Sequence, residues 1–241
     1  MDYDDAPVGR LLQRREVLAL LGLTGIAVLA GRRSGFAHSG TLPQCVARPR
    51  QTEGPYFVEA RLNRTDIRSD PATDVVTAGA LLDLTFNVSR ISERECSPLR
   101  NAQVDVWQCD AVGIYSDVND PVFNTVGQKF LRGYQLTDDL GRARFTTIYP
   151  GWYQGRTVHI HFKIRTDPAS ARGFELTSQL YFDGALTDRV HAVAPYAAKG
   201  QRTRRNSGDG IFWRGGQELL LAVAETPRGY AAAFDVGLQT D

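Results

Sequence analysis

The sequence predicts an all-β protein: a β-sandwich or barrel core of short, mostly antiparallel strands with long loops, preceded by an export signal. Three observations carry that expectation. Period-2 alternation of apolar side chains dominates the second two thirds of the chain, as it does where one face of a strand is buried. Turn signals (AVGIYSD, DDLGR, PGWYQGR and DGALTD) separate the alternating runs. No amphipathic helical stretch intervenes between successive runs, which argues against alternating α/β layers.

The first element stands outside the fold. RLLQRREVLALLGLTGIAVLAGRRSGFAHSG sets Arg14 and Arg15 before an apolar run from Val17 to Ala30. That run contains glycines and is shorter than the roughly 20 residues a bilayer span needs. A basic start, a modest apolar stretch and small residues afterwards describe an export signal rather than a core element. The arginine pair in RREVL resembles a twin-arginine signal, read by the twin-arginine export machinery; an ordinary signal peptide or a single anchor helix is the alternative. Residues 1–38 are therefore expected to be a signal segment, cleaved between Ala30 and Ser39. Residues 39–241 are expected to form one domain, exported to the periplasm or beyond the cell.

A polar lead containing QTEGPYF runs from Ser39 to about Ala78, and the strands follow. In ALLDLTFNVSR, Leu82, Leu84, Phe86 and Val88 share one face. In NAQVDVWQCD, Val104 and Val106 alternate with Asp105 and Trp107, and Trp107 reads as core rather than as a platform for a ligand. GYQLT, RARFTTIY, RTVHIHFKI, TSQLYF, QELLLAV and YAAAFDV complete the set, and DGALTDRVHAVAPYAAKG has room for a short helix before its proline. Cys45 and Cys96 sit in loop-like surroundings and Cys109 ends an apolar strand pattern. In an exported chain this favours a Cys45–Cys96 disulfide and a buried Cys109 thiol.

The totals exclude several classes of function. A formal net charge of +1 gives no pull toward nucleic acid or a membrane surface. CxxC, P-loop, GxGxxG and GxSxG patterns are all absent from the sequence. No feature supports an oligomer.

The chain holds only four histidines, and two of them, His159 and His161, lie in RTVHIHFKI. Alternate strand residues point the same way, so both imidazoles project from one face, with Cα atoms about 6.6 Å apart. That separation lets them converge on one metal ion; two surface histidines on a half-exposed strand are the bland alternative. His38 and His191 lie far from this pair and read as structural or solvent-exposed. The missing ligands must be oxygen or sulfur donors. Cys109 would suit a softer ion such as zinc, with hydrolytic chemistry. Tyr153, on the turn feeding the strand, would suit a hard one. A phenol has a pKa near 10, so only a strong Lewis acid would hold it ionised, a demand that ferric iron meets better than zinc or magnesium. Arg156 stays cationic and could neutralise an anion beside the metal. The basic run QRTRRN reads as a solvated loop, with Arg202, Arg204 or Arg205 as alternative binders of acidic groups.

Taken together, PGWYQGRTVHIHF resembles the metal-binding segment of the intradiol ring-cleavage dioxygenases, the family of the catechol 1,2- and protocatechuate 3,4-dioxygenases. DVWQCDAVGIYSD is similar to that family's Trp-x-x-x-x-x-Gly-x-Tyr context for a second tyrosine ligand. TSQLYFDG resembles the strand with an active-site glutamine, and QTEGPYF the N-terminal segment that reaches the site. The blocks run in order from about Thr41 to Phe234. The chain looks like an exported, single-domain branch, with no room for the helical N-terminal domain of the catechol dioxygenases.

The resemblance implies Fe(III) held by Tyr115, Tyr153, His159 and His161, with Tyr153 and His161 axial and Tyr115 and His159 equatorial. It implies that a catecholic substrate binds as a dianion, with Pro55 and Tyr56 at its binding site. Tyr153 would act as one of the bases and Arg156 would stabilise charge developing on the ring, while Gln179 orients both substrate and arginine. With dioxygen the product would be a muconate-type diacid. The rival readings are a non-enzymatic transthyretin-like or carbohydrate-binding sandwich, and a zinc hydrolase built on His159, His161 and Cys109.

Overall fold

A computed structural model describes residues 45–239, apart from 94 and 171–172. The expected signal segment and His38 lie outside the described residues. Nine strands and one α-helix are present among them. The strands are β1 (Leu81–Ile91), β2 (Cys96–Pro98), β3 (Gln103–Trp107), β4 (Arg132–Leu136), β5 (Arg142–Ile148), β6 (His159–Arg165), β7 (Glu175–Tyr181), β8 (Val223–Thr226) and β9 (Gly229–Gln239). The helix, α1, is Gly184–His191.

They form two sheets. The first has the order β2-β1-β9-β8, with β5 also paired to β1, and the second the order β4-β3-β6-β7. All pairings are antiparallel except β1 with β9, which run parallel from Leu82–Tyr230 to Ile91–Gln239. The apolar alternation of β1 points Leu82, Leu84, Phe86 and Val88 inward, as the sequence pattern requires. Phe86 packs on Phe145 and Phe234 of its own sheet, and on Phe162 of the opposite sheet at 5.3 Å between ring centroids. These rings are where the two layers interlock.

Helix α1 forms where the sequence has room for it, and the Asp183 carboxylate caps it by accepting the Leu186 N–H at 2.8 Å. QELLLAV is mostly not a strand. Gly216–Leu219 is a turn of 3₁₀ helix, Leu219 and Leu221 are buried, and the strand begins at Val223. Its apolar run serves packing from an irregular backbone, because Gly216 donates its N–H to Phe212 O at 2.7 Å and closes a turn there. Conversely, SERECSPLR holds the short strand β2, too brief and polar to show a period. Cys96 of β2 is disulfide-bonded to Cys45, with Cα atoms 6.0 Å apart, and Cys109 is a free, buried thiol.

The lead is what positions the site. It crosses the outer face of the second sheet strand by strand. Gln51 N–H bonds Thr177 O of β7 at 3.0 Å, Glu53 pairs with Lys163 of β6, Phe57 packs on Trp107 of β3 and Asn63 bridges to Tyr134 of β4. Arg165 adds a two-bond pair to Glu59, at 2.8 and 3.1 Å. The middle of this face is therefore covered, and Gln103, Asp105, His159, His161, Lys163 and Gln179 are buried there.

Candidate metal centre

Strand alternation divides β6 cleanly. Ile160, Phe162 and Ile164 enter the sandwich core, while His159 and His161 project to the outer face beneath the lead. Antiparallel register places Trp107 opposite His161, and His161 opposite Gln179, so three side chains stand in one row across β3, β6 and β7. His159 pairs with Tyr181 in the next row.

His159 Nδ1 lies 2.6 Å from the carbonyl oxygen of Thr157. A carbonyl only accepts, so Nδ1 carries the proton and Nε2 the lone pair. That lone pair faces His161 Nε2 at 3.0 Å and the Tyr153 hydroxyl at 3.2 Å. Burial, with Arg156 nearby, holds the His159 pKa down at about 3. Burial and the neighbouring His159 and Arg156 push His161 well below its ordinary range as well. Both rings are thus in the neutral form that ligates metals.

Tyr115 reaches the same place from a different loop. Asp110 Oδ1 accepts the Val112 and Ile114 N–H groups at 2.9 and 2.8 Å and folds that loop tightly. Gly113 at its bend has φ +86, and a Cβ there would lie 2.2 Å from Trp152 O. The loop carrying Tyr115 and the one carrying Tyr153 thus touch where only glycine fits. The two tyrosine rings are 5.7 Å apart and Tyr115 is 6.2 Å from the His161 ring. The Tyr115 hydroxyl is fully buried and has no hydrogen-bond partner. Burial raises both phenols above their ordinary pKa, so neither ionises unaided.

Two neutral imidazole nitrogens aimed at each other, a phenol beside them and an orphaned buried phenol form a donor set that fits a hard, strongly Lewis-acidic ion. Ferric iron meets that description. Cys109 does not join it. Its thiol, which burial pushes up to about 12, points at Gly151 O, 3.6 Å away. No group of three or more His, Cys, Asp and Glu side chains able to hold a metal occurs among the described residues, which leaves the zinc reading without its site.

Arg156 lies beside these donors. Its Nη2 donates to Gln179 Oε1 at 2.6 Å and its Nε to Asp209 Oδ2 at 2.9 Å. Gln179 Nε2 donates in turn to Thr52 O at 2.9 Å, so its amide orientation is fixed from both ends. Tyr56 stacks on Tyr115 at 4.4 Å and gives its hydroxyl hydrogen to Asp120 at 2.8 Å. Pro55 itself is exposed. Its neighbour Gly54, at φ +70, is the residue held against the His161 ring, where a Cβ would come within 3.2 Å of Cε1.

Four contributions escape the sequence reading. Trp107 is buried, yet it stacks on His161 at 5.0 Å and 6°, a placement that follows once β3 is paired with β6. Arg132 is a buried cation. It donates to Ser116 Oγ at 2.8 Å and to Tyr56 O at 3.3 Å, and burial lowers its pKa to about 10. Thr157 acts through its backbone, and Asp209 lies about fifty residues further on. A turn-forming Asp among glycines and serines carries no signal of its own. Arg202 and Arg205 both pair with Asp188 of α1, at 3.0 and 2.8 Å, and Arg204 donates to Gly208 O at 3.0 Å. His191 is structural, bonding Pro150 O at 3.0 Å.

The chain is similar in sequence and in fold to known proteins. Residues 52–204 match a family model described as Dioxygenase. The protocatechuate 3,4-dioxygenase beta chain of Burkholderia cepacia is 34% identical over 131 residues, 50% of this chain and 54% of that one. A chlorocatechol 1,2-dioxygenase of Pseudomonas putida is 33% identical over 119 residues, 40% of this chain and 42% of that one. The chain spans about half the length of the curated relatives it matches. Among solved structures, an intradiol ring-cleavage dioxygenase from Tetranychus urticae superposes with a TM-score of 0.71 at 28% identity, covering 81% of this chain and 96% of that one. The dioxygenase domain of a dioxygenase carbohydrate-binding protein fusion from Streptomyces sp. SirexAA-E gives 0.57 at 30%, covering 81% and 100%.

Proposed function

The chain belongs to the intradiol ring-cleavage dioxygenase family, and from that premise we propose that it opens a catecholic ring between its two hydroxyl-bearing carbons, using dioxygen and Fe(III), to give a muconate-type diacid. The observation that carries the proposal is the meeting of His159 Nε2 with His161 Nε2 at 3.0 Å and with the Tyr153 hydroxyl at 3.2 Å, beside the unpartnered Tyr115 hydroxyl. Tyr115, Tyr153, His159 and His161 would hold the iron. When bound, it supplies a Lewis-acidic centre that ionises phenolic oxygens and draws a catechol toward carbon-centred reactivity.

The chain's own groups do the rest. Burial keeps the Tyr153 phenol protonated on its own; once ionised by the bound metal, its oxygen would take a catechol proton. Arg156 keeps its charge beside the site and stabilises the anion that develops on the ring. Gln179 holds Arg156 Nη2 from the sheet side and sets the direction of the guanidinium. Tyr56 on Tyr115, and Trp107 on His161, wall the donors off from water.

Export by the twin-arginine route, with residues 1–38 as its signal, belongs to the same proposal. The RREVL arginine pair and the Cys45–Cys96 disulfide both support an oxidising destination. The test is oxygen uptake by purified, iron-loaded protein offered catechol, protocatechuate and hydroxyquinol in turn. Stoichiometric uptake with at least one of them is expected; no uptake with any would count against the proposal.

A further inference from the structure

We infer that Asp209 is the positioning residue of Arg156, fixing its guanidinium against Gln179 and, through Thr157, fixing the ring of His159. The inference deepens the ring-cleavage reading and rests on it. Asp209 lies past residue 204, where the match to the family model ends. Its side chain is 1% exposed, and four N–H groups converge on its carboxylate. Oδ2 accepts from Arg156 Nε at 2.9 Å and from the Thr157 N–H at 2.8 Å. Oδ1 accepts from Ile211 N–H at 2.8 Å and Phe212 N–H at 3.0 Å.

Those contacts place one carboxylate at the junction of two functions. On one side, two guanidinium nitrogens are tied down, Nε by Asp209 and Nη2 by Gln179. Such two-point anchoring fixes the plane of the cation rather than merely its distance. On the other side, the residue whose N–H Asp209 holds is the residue whose carbonyl accepts His159 Nδ1–H, and that bond sets the ring's tautomer and orientation. Asn206, three residues before Asp209, completes the clamp. It accepts the Thr157 hydroxyl hydrogen at 2.6 Å and donates to Phe182 O at 2.9 Å.

Asp209→Asn has the same shape but brings one acceptor oxygen and two N–H donors to a position that needs four acceptances. Whichever way the amide turns, N–H groups face N–H groups on one side. The expected result in the iron-loaded full chain is a kcat lower by on the order of 10- to 100-fold, with KM changed by no more than about 3-fold, because transition-state stabilisation is lost while the iron ligands remain. After reconstitution with excess iron, the iron content should match that of the wild type, with any loosening of His159 read as a weaker iron affinity rather than a lost ligand. A crystal structure of the variant should show the Arg156 guanidinium displaced from Gln179. In a double-mutant cycle, Asp209→Asn added to Arg156→Gln should lower kcat by clearly less than Asp209→Asn does alone, since the part that acts through Arg156 has nothing left to position and only the route through Thr157 to His159 remains. Asp209→Glu keeps the charge and the acceptors. It should recover part of the loss, and it serves as the folded comparison if the Asn variant is not soluble. Wild-type kcat in Asp209→Asn, fully additive effects in the cycle, or an unmoved guanidinium would each overturn the inference. If the wild-type protein cleaves no catechol, the ring-cleavage reading fails instead, and the guanidinium position in the variant crystal still decides the role of Asp209.

Discussion

His159 and His161 present their Nε2 atoms to each other 3.0 Å apart on one face of β6. The Thr157 carbonyl holds the His159 proton on Nδ1, so at least one of the facing atoms is a lone pair buried away from water. A cation between the rings satisfies both nitrogens at once. The first prediction follows from that geometry. His159→Ala or His161→Ala should lower the iron content of purified, reconstituted protein at least about 10-fold, as loss of a metal-site group does. The fold should remain, because both rings leave the sandwich core intact. Metal analysis and far-UV circular dichroism read the two outcomes.

Tyr153→Phe removes the hydroxyl 3.2 Å from His159 Nε2 and little else. Phenolate-to-iron charge transfer should colour the wild-type protein, and the variant should lose much of that absorption. Turnover should fall by on the order of 100-fold, as for a lost acid–base group. A variant with unchanged colour would take Tyr153 off the ligand set.

Two glycines separate strain from contact. Gly54 and Gly127 have φ +70 and +89, but only at Gly54 would a Cβ meet anything within 4 Å, the ring of His161. Alanine at either position should cost about 1–2 kcal/mol through the left-handed backbone. Only Gly54→Ala should also reduce turnover. Urea unfolding and oxygen uptake on both variants check this, and equal turnover in the two would show that the lead does not shape the site.

Much of this site is legible in one dimension because strand geometry converts spacing into direction. His159 and His161 share a face by period alone, and Leu82, Leu84, Phe86 and Val88 share one for the same reason. The contacts of Arg156 were only half legible. Gln179 of β7 was expected beside it through the family resemblance alone, whereas Asp209 comes from an irregular turn and nothing local to it announces the meeting. The lead was read only as far as Pro55 and Tyr56, since it owes its course across the second sheet to Gln51, Glu53, Phe57, Glu59 and Asn63 acting separately. Short polar β2 and the 3₁₀ turn at Gly216–Leu219 were misread because tertiary contacts override a weak period.

The Cys45–Cys96 disulfide closes a separation of 51 residues and ties the start of the lead to the edge of the first sheet. Breaking it by Cys45→Ser and Cys96→Ser together should cost about 2–4 kcal/mol. Cys109 is buried and its thiol is pushed up to about 12. A thiol reagent should therefore find no reactive sulfhydryl in the native unreduced protein and one after denaturation. Three after denaturation without reductant would mean that the bridge is absent.

The most direct test of the account is the product formed under ¹⁸O₂. Iron-loaded protein, given whichever catechol supports oxygen uptake, should yield a ring-opened diacid carrying both labelled atoms, with the break between the two carbons that bore hydroxyls. A product opened beside the hydroxyls, or one carrying a single labelled atom with the ring intact, would contradict the assignment of this site to intradiol cleavage.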